Sequence, residues 1–139
     1  MDELQIDIIK KEIISAIKKD DVNEAMAIVA RELSIFNEDG TKMVGGVSSS
    51  LYEAKTKTLY ITVRLNDTEE DVVYTGFDKK QSLLAMTDLS NDAYITAGGS
   101  PSKIPQLVRK ILETEKFGSN RTILYAGLLL GAAFIFFRK

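Results

Sequence analysis

Apolar residues recur at helical spacing in the first third of the chain, at strand spacing in the middle, and without interruption near its end. Ile6, Ile9, Ile13, Ala16 and Ile17 follow one another at three- and four-residue intervals and predict an amphipathic helix over 3–19. Leu4, Ile8 and Ile14 fall outside that stripe, so they need a second partner within the domain or on another copy, and are candidate partner contacts. Asp20 and Asp21 can cap a second helix over 22–36, whose stripe is Val22, Met26, Val29, Leu33 and Phe36. Asn37-Glu38-Asp39-Gly40 then supplies turn chemistry.

Beyond this turn the period shortens. Gly45 to Ser50 reads as a flexible small-residue stretch, followed by strand candidates at 51–54 and 58–65. In the second strand Leu59, Ile61, Val63 and Leu65 share one face, and Thr58, Tyr60, Thr62 and Arg64 share the other. A polar turn over 66–70 leads to an antiparallel partner at 71–77. Asp78 and Gln81 have capping-box spacing and predict a short helix to about Met86. Tyr94 to Ala97 reads as a brief strand. Ser100 or Ser102 caps a last helix through Lys116, with Ile104, Leu107, Val108, Ile111 and Leu112 as its stripe and Pro105 tolerated in its first turn.

The final pattern is continuous. Residues 122–137 carry no charge and are bounded by Arg121 on one side and Arg138 and Lys139 on the other. At about 1.5 Å per residue such a run makes a helix of roughly 24 Å, against a hydrocarbon core of about 30 Å. It is short for a span, but the flanking Arg121, Arg138 and Lys139 can snorkel to the headgroups and serve as membrane-interface anchors. A helix buried in protein is the alternative, although a core helix in a small chain normally keeps a polar stripe. Gly127 and Gly131, with Ala126 and Ala132 beside them, form a Gly-x-x-x-Gly surface suited to close helix packing in a membrane.

The expected fold is therefore α+β: an N-terminal helical pair, a small antiparallel sheet with packed helices, and a single C-terminal transmembrane helix. One domain over 1–116, a hinge over 117–121 and an anchor over 122–137 account for the chain. The acidic start offers no signal-peptide n-region, and the ends carry no lipidation motif, so membrane attachment is expected to come from the tail. Basic residues are more numerous before the run than after it, which favours the domain on the cytoplasmic side.

Charge and composition narrow the chemistry. The 18 basic and 20 acidic residues are mixed along the chain, so neither nucleic acid nor an anionic surface is implied as a partner of the domain. With no cysteine and no histidine, disulfides, thiolate catalysis and the commonest general base and metal ligands are absent. Residues 37–40 lack the ligand alternation of a calcium loop, and 45–50 lack the lysine of a phosphate loop. Glu69, Glu70 and Asp71 read as a solvated acidic turn, and Tyr52, Tyr60, Tyr74 and Tyr94 as half-buried sheet residues. No catalytic, cofactor-binding or metal-binding residue is assigned, and no cofactor or small-molecule substrate is expected.

Two function classes remain. The first is a non-enzymatic, membrane-anchored structural or assembly protein whose partners are the lipid bilayer and the subunits of a larger assembly or its own copies. An envelope complex or the particle of a membrane-containing virus, with the domain facing the protein shell, would use such a chain as a minor component. The second is a membrane-tethered binding or regulatory module, with the sheet or the 42–57 loop holding a ligand.

Overall fold

The computed structural model describes residues 2–118. Asp2 opens α1 (Glu3–Lys18) with a reciprocal cap, in which its carboxylate accepts the Gln5 N–H at 2.9 Å while the Gln5 side-chain oxygen accepts the Asp2 N–H at 3.0 Å. Of the predicted stripe, Ile9, Ile13, Ala16 and Ile17 are buried and Ile6 is half-buried. Asp20 adopts φ 61°, the chain reverses, and Asp21 caps α2 (Val22–Glu32) by accepting the Glu24 N–H at 2.9 Å. The two helices form the expected pair.

α2 stops short of the predicted end. Leu33 completes the buried stripe, and the chain then turns into β1 (Ile35–Phe36), which leaves Phe36 exposed. β2 (Met43–Glu53), β3 (Thr58–Leu65) and β4 (Thr68–Thr75) follow, and the four strands form an antiparallel meander in the order β1-β2-β3-β4. The reading of 45–50 as flexible is corrected, because these residues are the first half of β2. Gly45 and Gly46 are there because neighbours come too close for a side chain. A Cβ on Gly45 would lie 2.3 Å from the Ala97 Cβ, and one on Gly46 would lie 2.7 Å from the Leu33 carbonyl oxygen. The 66–70 turn shrinks to Asn66 and Asp67, with Leu65 paired directly to Thr68.

α3 (Lys79–Thr96) has the predicted Asp78–Gln81 cap but is twice as long as expected and absorbs the strand placed at 94–97. Its buried residues are Ser82, Leu83, Met86, Thr87, Ser90 and Ala93. α3 lies between the sheet and α4, so it is covered on two sides by small polar as well as apolar residues, and no single apolar stripe results. Thr87 Oγ1 donates to the Leu83 carbonyl at 2.7 Å, which satisfies one of these hydroxyls inside the core. α4 (Ile104–Thr114) begins where Ser102 Oγ accepts the Ile104 N–H at 3.1 Å, with Pro105 in the first turn.

α2 and α3 cover one face of the sheet, and α1 and α4 pack chiefly on those helices. The core runs through these layers, joining Ile13, Ile17, Met26 and Val29 to Leu59, Ile61, Leu83, Met86, Val108 and Ile111. The elements run nearly end to end, so the connections gather at two ends. The α1–α2 turn, the β2–β3 turn, the β4–α3 joint and the end of α4 meet at what we term the basal end, tied by the Lys79–Asp20 ion pair (2.7 Å) and the Gly76 N–H to Lys57 carbonyl bond (2.8 Å). The start of α1, the β1–β2 and β3–β4 turns and the start of α4 lie at the distal end. The α+β architecture is thus as expected. No helix among the described residues is long and apolar enough to cross a membrane. The expected span, with Gly127, Gly131, Ala126, Ala132, Arg121, Arg138 and Lys139, lies outside the described residues.

Candidate functional site

The candidate contacts on α1 separate by burial. Leu4 and Ile8 are one helical turn apart, share a face and are 69% and 51% exposed. Ile14 instead is half-buried and packs in part against the core, a partner within the domain.

The sheet contributes a second apolar surface that strand alternation alone does not reveal. A bulge at Ser48 shifts the β2–β3 register, so that Val47 and Tyr52 both face the helices although they are five positions apart. The same shift turns Leu51 outward. Leu51 pairs with Tyr60, and Tyr60 pairs with Val73, which makes one cross-strand row on the face that no described helix covers. All three residues are about half exposed. Flanking rows are polar: Ser49, Thr62 and Asp71 on one side, where Thr62 Oγ1 donates to the Asp71 carboxylate at 2.9 Å, and Glu53, Thr58 and Thr75 on the other. Of the four strand tyrosines expected to be half-buried, Tyr52 is buried, Tyr74 is half-buried and stacks on Phe77 at 4.6 Å, and Tyr94 belongs to α3.

At the basal end a cleft of about 530 Å³ opens between the β2–β3 turn, the start of α3 and the end of α4. Tyr52, Lys57, Asp78, Lys80, Lys116 and Phe117 are among its lining residues. Tyr52 is positioned twice. Its hydroxyl donates to the Phe77 carbonyl at 2.8 Å, and its backbone is held by Asn23, which accepts the Tyr52 N–H at 2.9 Å and donates to the Tyr52 carbonyl at 3.3 Å. β1 pairs only with 43–45, so the rest of that edge of β2 lacks a neighbouring strand, and the Asn23 amide substitutes for one at Tyr52. Burial, followed by the nearby Asp78 carboxylate, pushes the Tyr52 phenol above its ordinary value. The cleft can therefore present the neutral Tyr52 hydroxyl, several ammonium groups and the Lys79–Asp20 ion pair.

Elsewhere the polar clusters are structural. Arg31 joins α1 to α2 by bonding Glu12 at 2.8 Å and Glu32 at 2.7 Å, and those two bonds raise its already high pKa. Among the described residues no three Asp or Glu side chains converge as a metal site. Asn23 and the Leu51–Tyr60–Val73 row were not legible beforehand. A lone Asn in a first helical turn has no sequence signature, and the row depends on the bulge. No protein-family model, curated protein or solved structure matches the chain.

Proposed function

We propose that the chain is a non-enzymatic, membrane-anchored structural or assembly protein. Its domain would contact neighbouring subunits while the uncharged run 122–137 holds it in a bilayer. The observation that carries the reading is that run, which follows closely on Gly118 at the basal end. Two apolar surfaces on different layers support it: Leu4 with Ile8 on α1, and Leu51, Tyr60 and Val73 on the sheet. A domain with two such surfaces can bridge two neighbours, as a minor component of an envelope complex or of a membrane-containing virus particle would. Gly127 and Gly131 add a contact within the membrane.

The test is the size of the detergent-solubilised full chain with its native neighbours. Wild type forms homo- or hetero-oligomers, and Leu4→Ser with Ile8→Ser dissociates them without unfolding the domain. A monomer that saturably binds a small ligand overturns the assembly reading. It would favour a membrane-tethered binding module, for which the basal cleft is the specific support.

A further inference from the structure

The sheet has two free edges, and they are not alike. β4 carries Glu69, Glu70 and Asp71 along its edge, and charges there discourage another strand from pairing. The outer edge of β2 has no charge between Gly46 and Tyr52. β1 covers it only as far as Gly45, and Gly46 lies against the backbone at Leu33 and Ser34. Asn23 reaches the edge again at Tyr52, so residues 47–51 have no strand beside them on that side among the described residues. At about 3.3 Å per residue the gap is roughly 17 Å long, room for a strand of about five residues.

The backbone of this gap points at the missing strand. Tyr52 turns both its N–H and its carbonyl outward to the Asn23 amide, at 2.9 and 3.3 Å. Bonding direction alternates along a strand, so Ser50 also turns both groups outward, while Leu51 turns both to its partner Tyr60 on β3. A groove of about 370 Å³ follows the gap, with Asn23, Ala27 and Ala30 of α2 on one side and Ser48, Ser49 and Ser50 of β2 on the other. Ala27 and Ala30 present only methyl groups to it, and Ala27 is exposed. Phe36, also exposed, lines the groove at its β1 end. Arg31 is the one charged residue among the described lining, and Glu12 and Glu32 already hold its guanidinium at 2.8 and 2.7 Å.

We infer that this groove takes up an extended, uncharged segment of a neighbouring subunit as an added strand beside β2. This rests on the assembly reading above and adds to it the chemistry of the partner. Outward backbone donors and acceptors at strand spacing are matched by another extended backbone, which supplies the affinity, while the lining selects the side chains. The uncharged lining selects a segment without Lys, Arg, Asp or Glu, because an unpaired charge set beside Ala27 and Ala30 loses its hydration. The methyl groups leave space for residues the size of Val or Thr on the helix side. On the other side the segment lies next to Leu51, where an apolar residue lengthens the Leu51–Tyr60–Val73 row. β4 of a second copy fits poorly. It brings three acids with it, and its Val72 and Tyr74 are already half-buried against their own domain.

The alternation of β2 provides the test. Amide hydrogen exchange is followed in the detergent-solubilised full chain with its native neighbours, and in Ala27→Lys prepared in the same way. The new lysine fills the groove from an exposed helix position, and circular dichroism verifies that the variant is folded. Exchange at Ser50 is expected to be at least about tenfold slower in wild type than in Ala27→Lys, the slowing of an amide that is open less than a tenth of the time. Exchange at Leu51, already bonded to β3, is expected to be the same in both, and Ser15→Lys on α1 is expected to behave as wild type. Independently of these variants, the chain has no cysteine, so Ser49→Cys carries a single benzophenone beside the groove. Its cross-link is expected to fall on an uncharged segment of another subunit.

Equal Ser50 exchange in wild type and Ala27→Lys while the assembly persists overturns the inference and leaves the assembly reading intact. So does a change at Leu51 as large as that at Ser50, or a cross-link to a charged segment, to β4 of a second copy, or to no other chain. Absence of any assembly overturns the reading and the inference together.

Discussion

Replacing Asn23 with Ala removes the amide that completes the open edge of β2. Two hydrogen bonds are lost, from Tyr52 N–H at 2.9 Å and to the Tyr52 carbonyl at 3.3 Å. Asn23 itself is exposed, so water can occupy the vacated positions. The cost is therefore the net worth of two bonds, about 1–2 kcal/mol, and not the larger penalty of an orphaned buried group. Asn23→Asp should lie between wild type and Ala, since a carboxylate accepts the Tyr52 N–H but faces the carbonyl with no donor. Urea unfolding of the full chain in mild detergent measures the loss, and amide hydrogen exchange localises it. Exchange at Tyr52 should accelerate more than exchange at Leu59 or Ile61 on the adjoining strand. A change under about 0.5 kcal/mol in Asn23→Ala, with Tyr52 exchange unaltered, would refute the view that a side chain stands in for the missing strand.

Gly45→Ala places a Cβ 2.3 Å from the Ala97 Cβ and 3.0 Å from the Ala93 carbonyl oxygen, and is expected to destabilise by about 1–3 kcal/mol. Ala97→Gly should recover part of that loss in the double variant, a non-additivity that denaturation measures. The raised Tyr52 pKa means that the folded domain favours the neutral phenol, so its stabilisation is full below about pH 10 and is lost as pH rises through the folded value. Wild type should therefore lose stability above about pH 10 more steeply than Tyr52→Phe, which lacks the titrating group but also the 2.8 Å bond to Phe77. Leu51→Thr, Tyr60→Thr and Val73→Thr together should leave domain stability within about 1 kcal/mol of wild type, because the residues are half exposed. The same triple variant should weaken association with neighbouring subunits by detergent gel filtration.

What the sequence showed of this fold follows the number of faces an element buries. α1, α2 and α4 each bury one stripe and were legible from spacing, as were the caps at Asp21 and Asp78. β3, with one face on the helices, alternated cleanly. α3 did not show its length because it is buried on two sides, using Ser82, Thr87 and Ser90 where an amphipathic helix would carry aliphatics. The first half of β2 looked like a flexible linker for a related reason. Gly45 and Gly46 mark tight packing under α3 and α2, and composition does not distinguish a glycine that gives room from one that gives freedom.

The contact surfaces divide in the same way. Leu4 and Ile8 stood out because they interrupt a helical stripe, and they are exposed. The Leu51–Tyr60–Val73 row needed the bulge at Ser48.

The central claim is that residues 122–137 hold this domain in a bilayer. Flotation of the full chain with vesicles after an alkaline carbonate wash tests it most directly, beside a variant with Leu128→Arg and Leu130→Arg. Two arginines near the middle of a span cost about 2.5–3.5 kcal/mol each on insertion, so the account predicts that wild type stays with the lipid and the variant is released as a folded, soluble protein. Release of the wild type by carbonate, or retention of the variant, would contradict it.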